Sequence, residues 1–197
     1  RQRQMCIRDR VATISTQKGC PMHCKFCDVP KFGFYGNASI EDMDRQIRTI
    51  IEGESVRETD RFNVHFARMG EPTWNENILA FGLALRGVVK STGLAAKTVH
   101  PVVSTMLPKA NNKLGNFLQV WCSIKNEFYN GEAGLQFSIN STDDEQRNEL
   151  FDSKSLSLAQ ISQLANELPM PVGQKVYSKF SSNLTNYSRC EGIVKAI

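Results

Sequence analysis

The chain has 197 residues, 41% hydrophobic and 22% charged, with a formal net charge of +4. That is the make-up of one ordinary globular domain with a real core, and the mild charge, with no dense Lys/Arg block, permits contact with nucleic acid without arguing for it. No apolar run approaches the roughly 18 residues of a membrane-spanning helix and no secretory signal appears, so no membrane partner is expected; the six cysteines are not spaced as a disulfide framework, which points to a reduced, cytoplasmic setting with a metal site.

Residues 1–9 read Arg-Gln-Arg-Gln-Met-Cys-Ile-Arg-Asp, which resembles the translation of a common transposase sequencing adapter. Residues 1–10 are therefore expected to be adapter-derived and are set aside, Cys6 with them. Val11–Thr16 is a short β-rich run leading into a loop, Gln17 to Asn37, rich in glycine, proline and aromatic residues. Ser39 is the expected N-cap of a helix with Glu41 and Asp42 in its first turn. Its apolar positions Ile40, Met43, Ile47, Ile50 and Ile51 recur at helical spacing. Arg61–Met69 alternates as a strand, Phe62, Val64 and Phe66 on one side, and ends at Gly70-Glu71-Pro72. A helix over about 76–90 follows, then a strand Thr98–Met106, a helix Leu114–Phe128 and a strand Gly134–Asn140. Asp143–Leu150 and Leu156–Leu168 read as helices, and Lys175-Val176 starts a last strand. From Tyr177 onward the chain turns polar and aperiodic. Read one nucleotide out of frame, codons for 188–196 can encode an amphipathic helix start. A frameshift near Val176 is therefore expected, which makes 177–197 a frameshifted tail and Cys190 a non-native cysteine.

Repeated strand–helix units over 11–176 argue for an α/β domain, a parallel sheet with helices outside, open or barrel-like. Polar and glycine residues cluster where the strands end: the Cys20 region, Gly70-Glu71, Ser104-Thr105 and Ser138–Asn140. In parallel α/β architectures ligands bind at those C-terminal strand edges, so the four clusters are expected to face one cavity.

The chemistry starts from Cys20, Cys24 and Cys27, spaced Cys-x3-Cys-x2-Cys with Phe26 before the last. Three thiolates can hold three irons of a [4Fe–4S] cube and leave the fourth iron free for a small molecule, whereas electron-transfer clusters normally have four cysteine ligands. The competing reading is zinc with His23 nearby, but zinc motifs usually bring a second Cys-x2-Cys or a distant histidine pair, and the sequence has neither. Cys122, next to Trp121 on an amphipathic helix, reads as core packing. Ser104, Ser138 and Asn140, taken singly, read as turn or capping residues.

The cysteine loop after a first strand, with Gly70-Glu71-Pro72 after a second, resembles the radical S-adenosylmethionine (SAM) superfamily over roughly Val11 to Lys175. The resemblance implies a (β/α)6-type barrel, here partial and truncated on its C-terminal side. It implies a [4Fe–4S] cluster on Cys20, Cys24 and Cys27, and SAM chelated at the open iron by its amino and carboxylate groups. One electron from a flavodoxin- or ferredoxin-like donor would then cleave the sulfonium, and the 5′-deoxyadenosyl radical would take a hydrogen from the substrate. Within that frame Gly70 permits close backbone approach and Glu71 can accept from the SAM ammonium. Phe26 either packs over the adenine or anchors the loop.

Three further stretches resemble one branch, the large-subunit rRNA adenine methyltransferases of the radical SAM type. They are Met69-Gly70-Glu71-Pro72-Thr73-Trp74-Asn75, Val103-Ser104-Thr105 with Pro108, and Phe137-Ser138-Ile139-Asn140 with Asp143-Asp144-Glu145 and Arg147. Carried over residue by residue, Gly70, Glu71, Ser104, Ser138, Ile139 and Asn140 contact SAM, and RNA becomes a partner. Two positions depart from the branch: Asn140 stands for a histidine, and Thr13 for a cysteine seven residues before Cys20. The reading is therefore a radical SAM enzyme of unassigned substrate. Its alternatives are an rRNA or tRNA adenine methyltransferase and a non-catalytic module holding zinc or a structural cluster.

Overall fold

The computed structural model describes residues 9–54 and 57–172. The expectations for residues 1–8, for a strand starting at Lys175-Val176 and for 177–197 fall outside them. Four strands, β1 (Asp9–Ile14), β4 (Glu58–Phe66), β5 (Ala95–Thr105) and β6 (Gly134–Phe137), form a parallel sheet in that order. Asp9 and Arg10, within the stretch set aside as adapter-derived, already pair with Arg61 and Phe62. Parallel neighbours need long crossovers. The described residues supply them as helices α1 (Ile40–Gly53), α2 (Asn77–Ser91) and α3 (Leu114–Ser123).

The two-residue period of the strands divides the sheet into an apolar outer face and a more polar inner one. Ile14, Phe66 and Val103 lie in one register row and are fully buried on the outer face. The next row inward in sequence, Thr13, His65 and Val102, turns to the other face. Against the outer face pack Met43, Ile47 and Ile51 of α1, Phe81, Leu85 and Val89 of α2, and Phe117, Leu118 and Trp121 of α3. Phe66 meets Phe81 and Trp121 edge-on, with ring centroids 6.2 and 6.1 Å apart. Side chains of this size contribute about 1.5–3 kcal/mol each on burial. A Cβ on Gly82 would come within 2.9 Å of the Trp121 ring, so the missing side chain lets α2 and α3 close on each other.

Ser39 caps α1 as expected. Its hydroxyl accepts from the Asp42 N–H while the Asp42 carboxylate accepts from the Ser39 N–H. Ile40, read as part of the apolar stripe, is exposed at the first helical position. The helix expected over Leu114–Phe128 is regular only to Ser123. Ile124–Phe128 forms a wider turn, closed by Tyr129 N–H donating to the Ile124 carbonyl. Tyr129 is buried there, and its hydroxyl donates to the Gly82 carbonyl at 2.6 Å.

Two strands that sequence patterning did not find, β2 (Gln17–Gly19) and β3 (Phe34–Asn37), form a small antiparallel hairpin around the cysteine loop. Strand β6 stops at Phe137 rather than Asn140. Ser138–Asn140 instead turns, with Asn140 at φ 59° and Ser141 N–H on the Ile139 carbonyl. The last described elements are α4 (Asp144–Leu150), capped by Asp143, and α5 (Leu158–Glu167), capped by Ser157.

Candidate active site

The C-terminal ends of the strands open on a cavity of about 290 Å³. Cys20, Cys24, Cys27 and Phe26 line it from the cysteine loop, Gly70 and Glu71 from the turn after β4, Ser104 from β5, and Ser138 and Asn140 from the turn after β6. The clusters expected at four separate strand ends thus share one space. Ile139 does not: its side chain is buried in the main core. Between two neighbours that line the cavity, it points the other way. Its carbonyl is also engaged, accepting from the Arg147 guanidinium.

The cysteine loop is held at both ends. Cys20 N–H donates to the Gly33 carbonyl at 3.2 Å, and Lys25 N–H to the Leu150 carbonyl at the end of α4 at 2.9 Å. Phe26 is half exposed and rests edge-on against Phe151, centroids 5.4 Å apart, while also lining the cavity. It therefore anchors the loop and remains available to a ligand. His23 is exposed and does not line the cavity, and Cys122 is buried on α3.

Burial pushes the Cys24 thiol up to about 12, helped by the neighbouring Cys20 and Cys27 sulfurs and by Glu71. Burial likewise raises Cys20. These thiols hold their protons at neutral pH, and metal uptake would release them. Among the described residues no group of three or more His, Cys, Asp or Glu side chains gathers closely enough to hold one metal ion. A cube makes a different demand, one thiolate per iron.

Glu71 is 3% exposed, and its carboxylate is saturated from within the protein. One oxygen, Oε1, accepts from the Thr73 N–H (3.2 Å), the Thr73 hydroxyl (2.8 Å) and the Thr105 hydroxyl (2.6 Å); the other, Oε2, accepts from the Met106 N–H (3.0 Å). Burial raises its pKa, opposed by these donors. The side chain is a strut that joins the ends of β4 and β5. Gly70 has φ +96°, and a Cβ there would stand 2.5 Å from Gln17 Cβ. The close approach that requires glycine is thus to Gln17.

Asn140 supplies the opposite case. Its Oδ1 is buried and has no hydrogen-bond partner, which leaves an acceptor open at the cavity wall. Ser104 Oγ donates to Gln136 Oε1 at 2.8 Å. Behind the last turn, the fully buried Arg147 donates to the carbonyls of Ile139 and Leu156 and to Ser155 Oγ, and lies over the Phe151 ring. Sequence reasoning passed over Gln17 and gave neither Thr105 nor Arg147 a positioning role. An arginine four residues past a capping Asp looks like an ordinary solvated helix residue.

Over 170 residues the chain is 29% identical to the dual-specificity RNA methyltransferase RlmN of Campylobacter hominis, an alignment covering 85% of this chain and 43% of that protein. The RlmN of Aliarcobacter butzleri gives the same identity and coverage. The chain is related to the RlmN RNA methyltransferases. It spans less than half the length of these relatives. No protein-family model matches it. Among solved structures, a radical SAM methyltransferase from Sphaerobacter thermophilus superposes with a TM-score of 0.52 at 21% identity, over 72% of this chain and 38% of that one. That likeness bears on the fold, and it agrees with the partial radical SAM barrel expected from the cysteine motif.

Proposed function

We propose that this chain carries the cluster- and cofactor-binding core of a radical SAM enzyme. Cys20, Cys24 and Cys27 would hold a [4Fe–4S] cluster, with Gly70, Glu71, Ser104, Ser138 and Asn140 around bound SAM and Phe26 at its edge. The observation that carries this reading is the shared cavity. Three cysteines of one short loop and the ends of β4, β5 and β6 meet there, and the Asn140 acceptor lacks a partner. When bound, the cluster and SAM supply one-electron cleavage of the sulfonium. The protein's own part is to present three thiolates and no fourth cysteine from the loop, and to fix the strand-end turns through Glu71 and Arg147. One-electron delivery would fall to a flavodoxin- or ferredoxin-like protein in a reduced, cytoplasmic setting.

RNA is the substrate class that the relatives' names favour, and methyl transfer to an RNA base is the finer reading they support. Thr13 bears on the chemistry of that transfer. It lies in β1 opposite His65 and does not line the cavity, and its hydroxyl cannot take part in thiol–disulfide exchange.

The test is anaerobic loading of the chain with iron and sulfide. Four irons per chain and a reduced-cluster electron paramagnetic resonance signal that changes on SAM addition are expected, both lost in Cys24→Ala. Binding of zinc alone, with no cluster formed, would overturn the reading.

A further inference from the structure

Among the described residues that line the cavity, Arg68 is the one arginine or lysine. Its side chain is exposed, whereas Cys20, Cys24 and Cys27 are half-buried, so it stands toward the mouth. Its main chain is held on both sides. The Arg68 N–H donates to the Ile14 carbonyl at the end of β1 at 3.1 Å, and the Met69 carbonyl accepts from the Thr16 N–H at 2.8 Å and the Gln17 N–H at 3.2 Å. The Glu71 N–H then donates to Gln17 Oε1 at 2.8 Å. A side chain on so fixed a base is pre-organised for a ligand. The cations around the cysteine loop are answered within the protein: Lys18 by Asp42, Lys25 by Glu149 and Lys31 by Asp28. Arg68 pairs with no carboxylate among the described residues. The carboxylate on its own wall, Glu71, already accepts four hydrogen bonds.

We infer that Arg68 forms an anion subsite for the substrate: its guanidinium takes a phosphate of the RNA strand beside the nucleotide that enters the cavity, and so fixes that nucleotide over the cofactor. The planar fork of an arginine matches two phosphate oxygens at once. The polar side chains beside it, Ser104, Gln136, Ser138 and Asn140, carry no charge, so an anion at the mouth meets its counter-charge at Arg68. The cofactor's own carboxylate is taken by the open iron in the reading above, which leaves Arg68 to the substrate. A phosphate contact positions a strand without reading its sequence, so the subsite sets where the nucleotide lies and not which base is chosen. The assignment rests on the proposed function, with RNA as the substrate class that the relatives' names carry.

The experiment measures, by fluorescence anisotropy, binding of a short labelled single-stranded RNA to the full chain over a range of salt concentrations. A copy of that RNA with uncharged methylphosphonate linkages is measured beside it. Arg68→Gln is expected to weaken RNA binding about fivefold and to reduce the slope of log affinity against log salt by about 0.7, the share of one phosphate contact on a single strand. The methylphosphonate copy should bind parent and variant alike. Arg68→Lys keeps the charge and loses the fork, so it should restore the slope and part of the affinity. Lys90→Gln, which takes a cation from the last turn of α2 outside the cavity, should change neither. Equal effects of Lys90→Gln and Arg68→Gln would reduce Arg68 to a share of the general positive charge and overturn the inference, as would an unchanged salt slope in Arg68→Gln. On the iron- and sulfide-loaded chain, iron content and SAM affinity are expected to be the same in parent and Arg68→Gln. A loss of SAM with RNA binding intact would give Arg68 to the cofactor's carboxylate and overturn the inference too. A parent chain that loads iron and SAM but binds no RNA would overturn it together with RNA as the substrate class, and leave the cluster-and-SAM reading standing.

Discussion

Glu71 and Arg147 each trade solvent for several protein partners, although the buried Nε of Arg147 has no hydrogen-bond partner. A buried carboxylate is costly unless donors surround it, and of the four donors to Glu71 two come from one residue of its own turn, Thr73, and two from Thr105 and Met106 at the end of β5. Thr105→Val keeps the shape and removes one donor, and it also strips the Leu107 N–H of its acceptor. Denaturant titration is expected to show a loss of about 1–3 kcal/mol; a change near zero would mean that the Thr105 hydroxyl does not hold the strut. Arg147 plays the matching part for the third strand end, tying the carbonyl at Ile139 to Ser155 and Leu156. At this scale the sequence told residue identities but not directions. Gly70 and Glu71 were legible as a strand-end pair, yet one proved to be cut to fit Gln17 and the other to brace β5. Ile139 sits beside two cavity residues in sequence and faces the core in space. Such orientations depend on contacts thirty or more residues away, which no local pattern encodes.

The helices were the readable elements, because a 3.6-residue apolar period and a capping residue are local signals. Ser39 caps where expected, and the last two helices start within two residues of their expected bounds, capped by Asp143 and Ser157. The hairpin β2–β3 was not readable: strands of three and four residues offer too few alternations to register. Its docking to α1 has a pH signature. Lys18 of β2 reaches the Asp42 carboxylate at 3.0 Å, and this hydrogen bond, with that from the Ser39 N–H, lowers the Asp42 pKa below its ordinary value of 3.8. A depressed carboxylate adds stability above its unfolded-state pKa and loses it as pH falls through the folded one. The parent chain is therefore expected to exceed Asp42→Asn in unfolding midpoint at neutral pH. The gap should close as pH drops below 3.8. A gap that stays constant with pH would contradict the assignment.

At the scale of the molecule, the parallel order β1-β4-β5-β6 puts every strand's C-terminal end on one rim. A parallel sheet with helices outside followed from the alternating strand and helix signals, and one shared cavity from the polar residues at the strand ends, whereas the strand order did not. The chemistry came from a spacing of three cysteines. What sequence could not supply is how the rim is braced, through Gln17, Glu71 and Arg147. Among the described residues no helix is long and apolar enough to cross a membrane. The central claim is that the braced cavity holds a cluster and SAM in a productive arrangement. The most direct measurement is chromatographic assay of 5′-deoxyadenosine after anaerobic incubation of the loaded chain with SAM and dithionite. Formation of 5′-deoxyadenosine, abolished in Cys27→Ala, is the predicted result; a chain that binds both cluster and SAM yet yields none, or a Cys27→Ala variant that still yields it, would contradict the account.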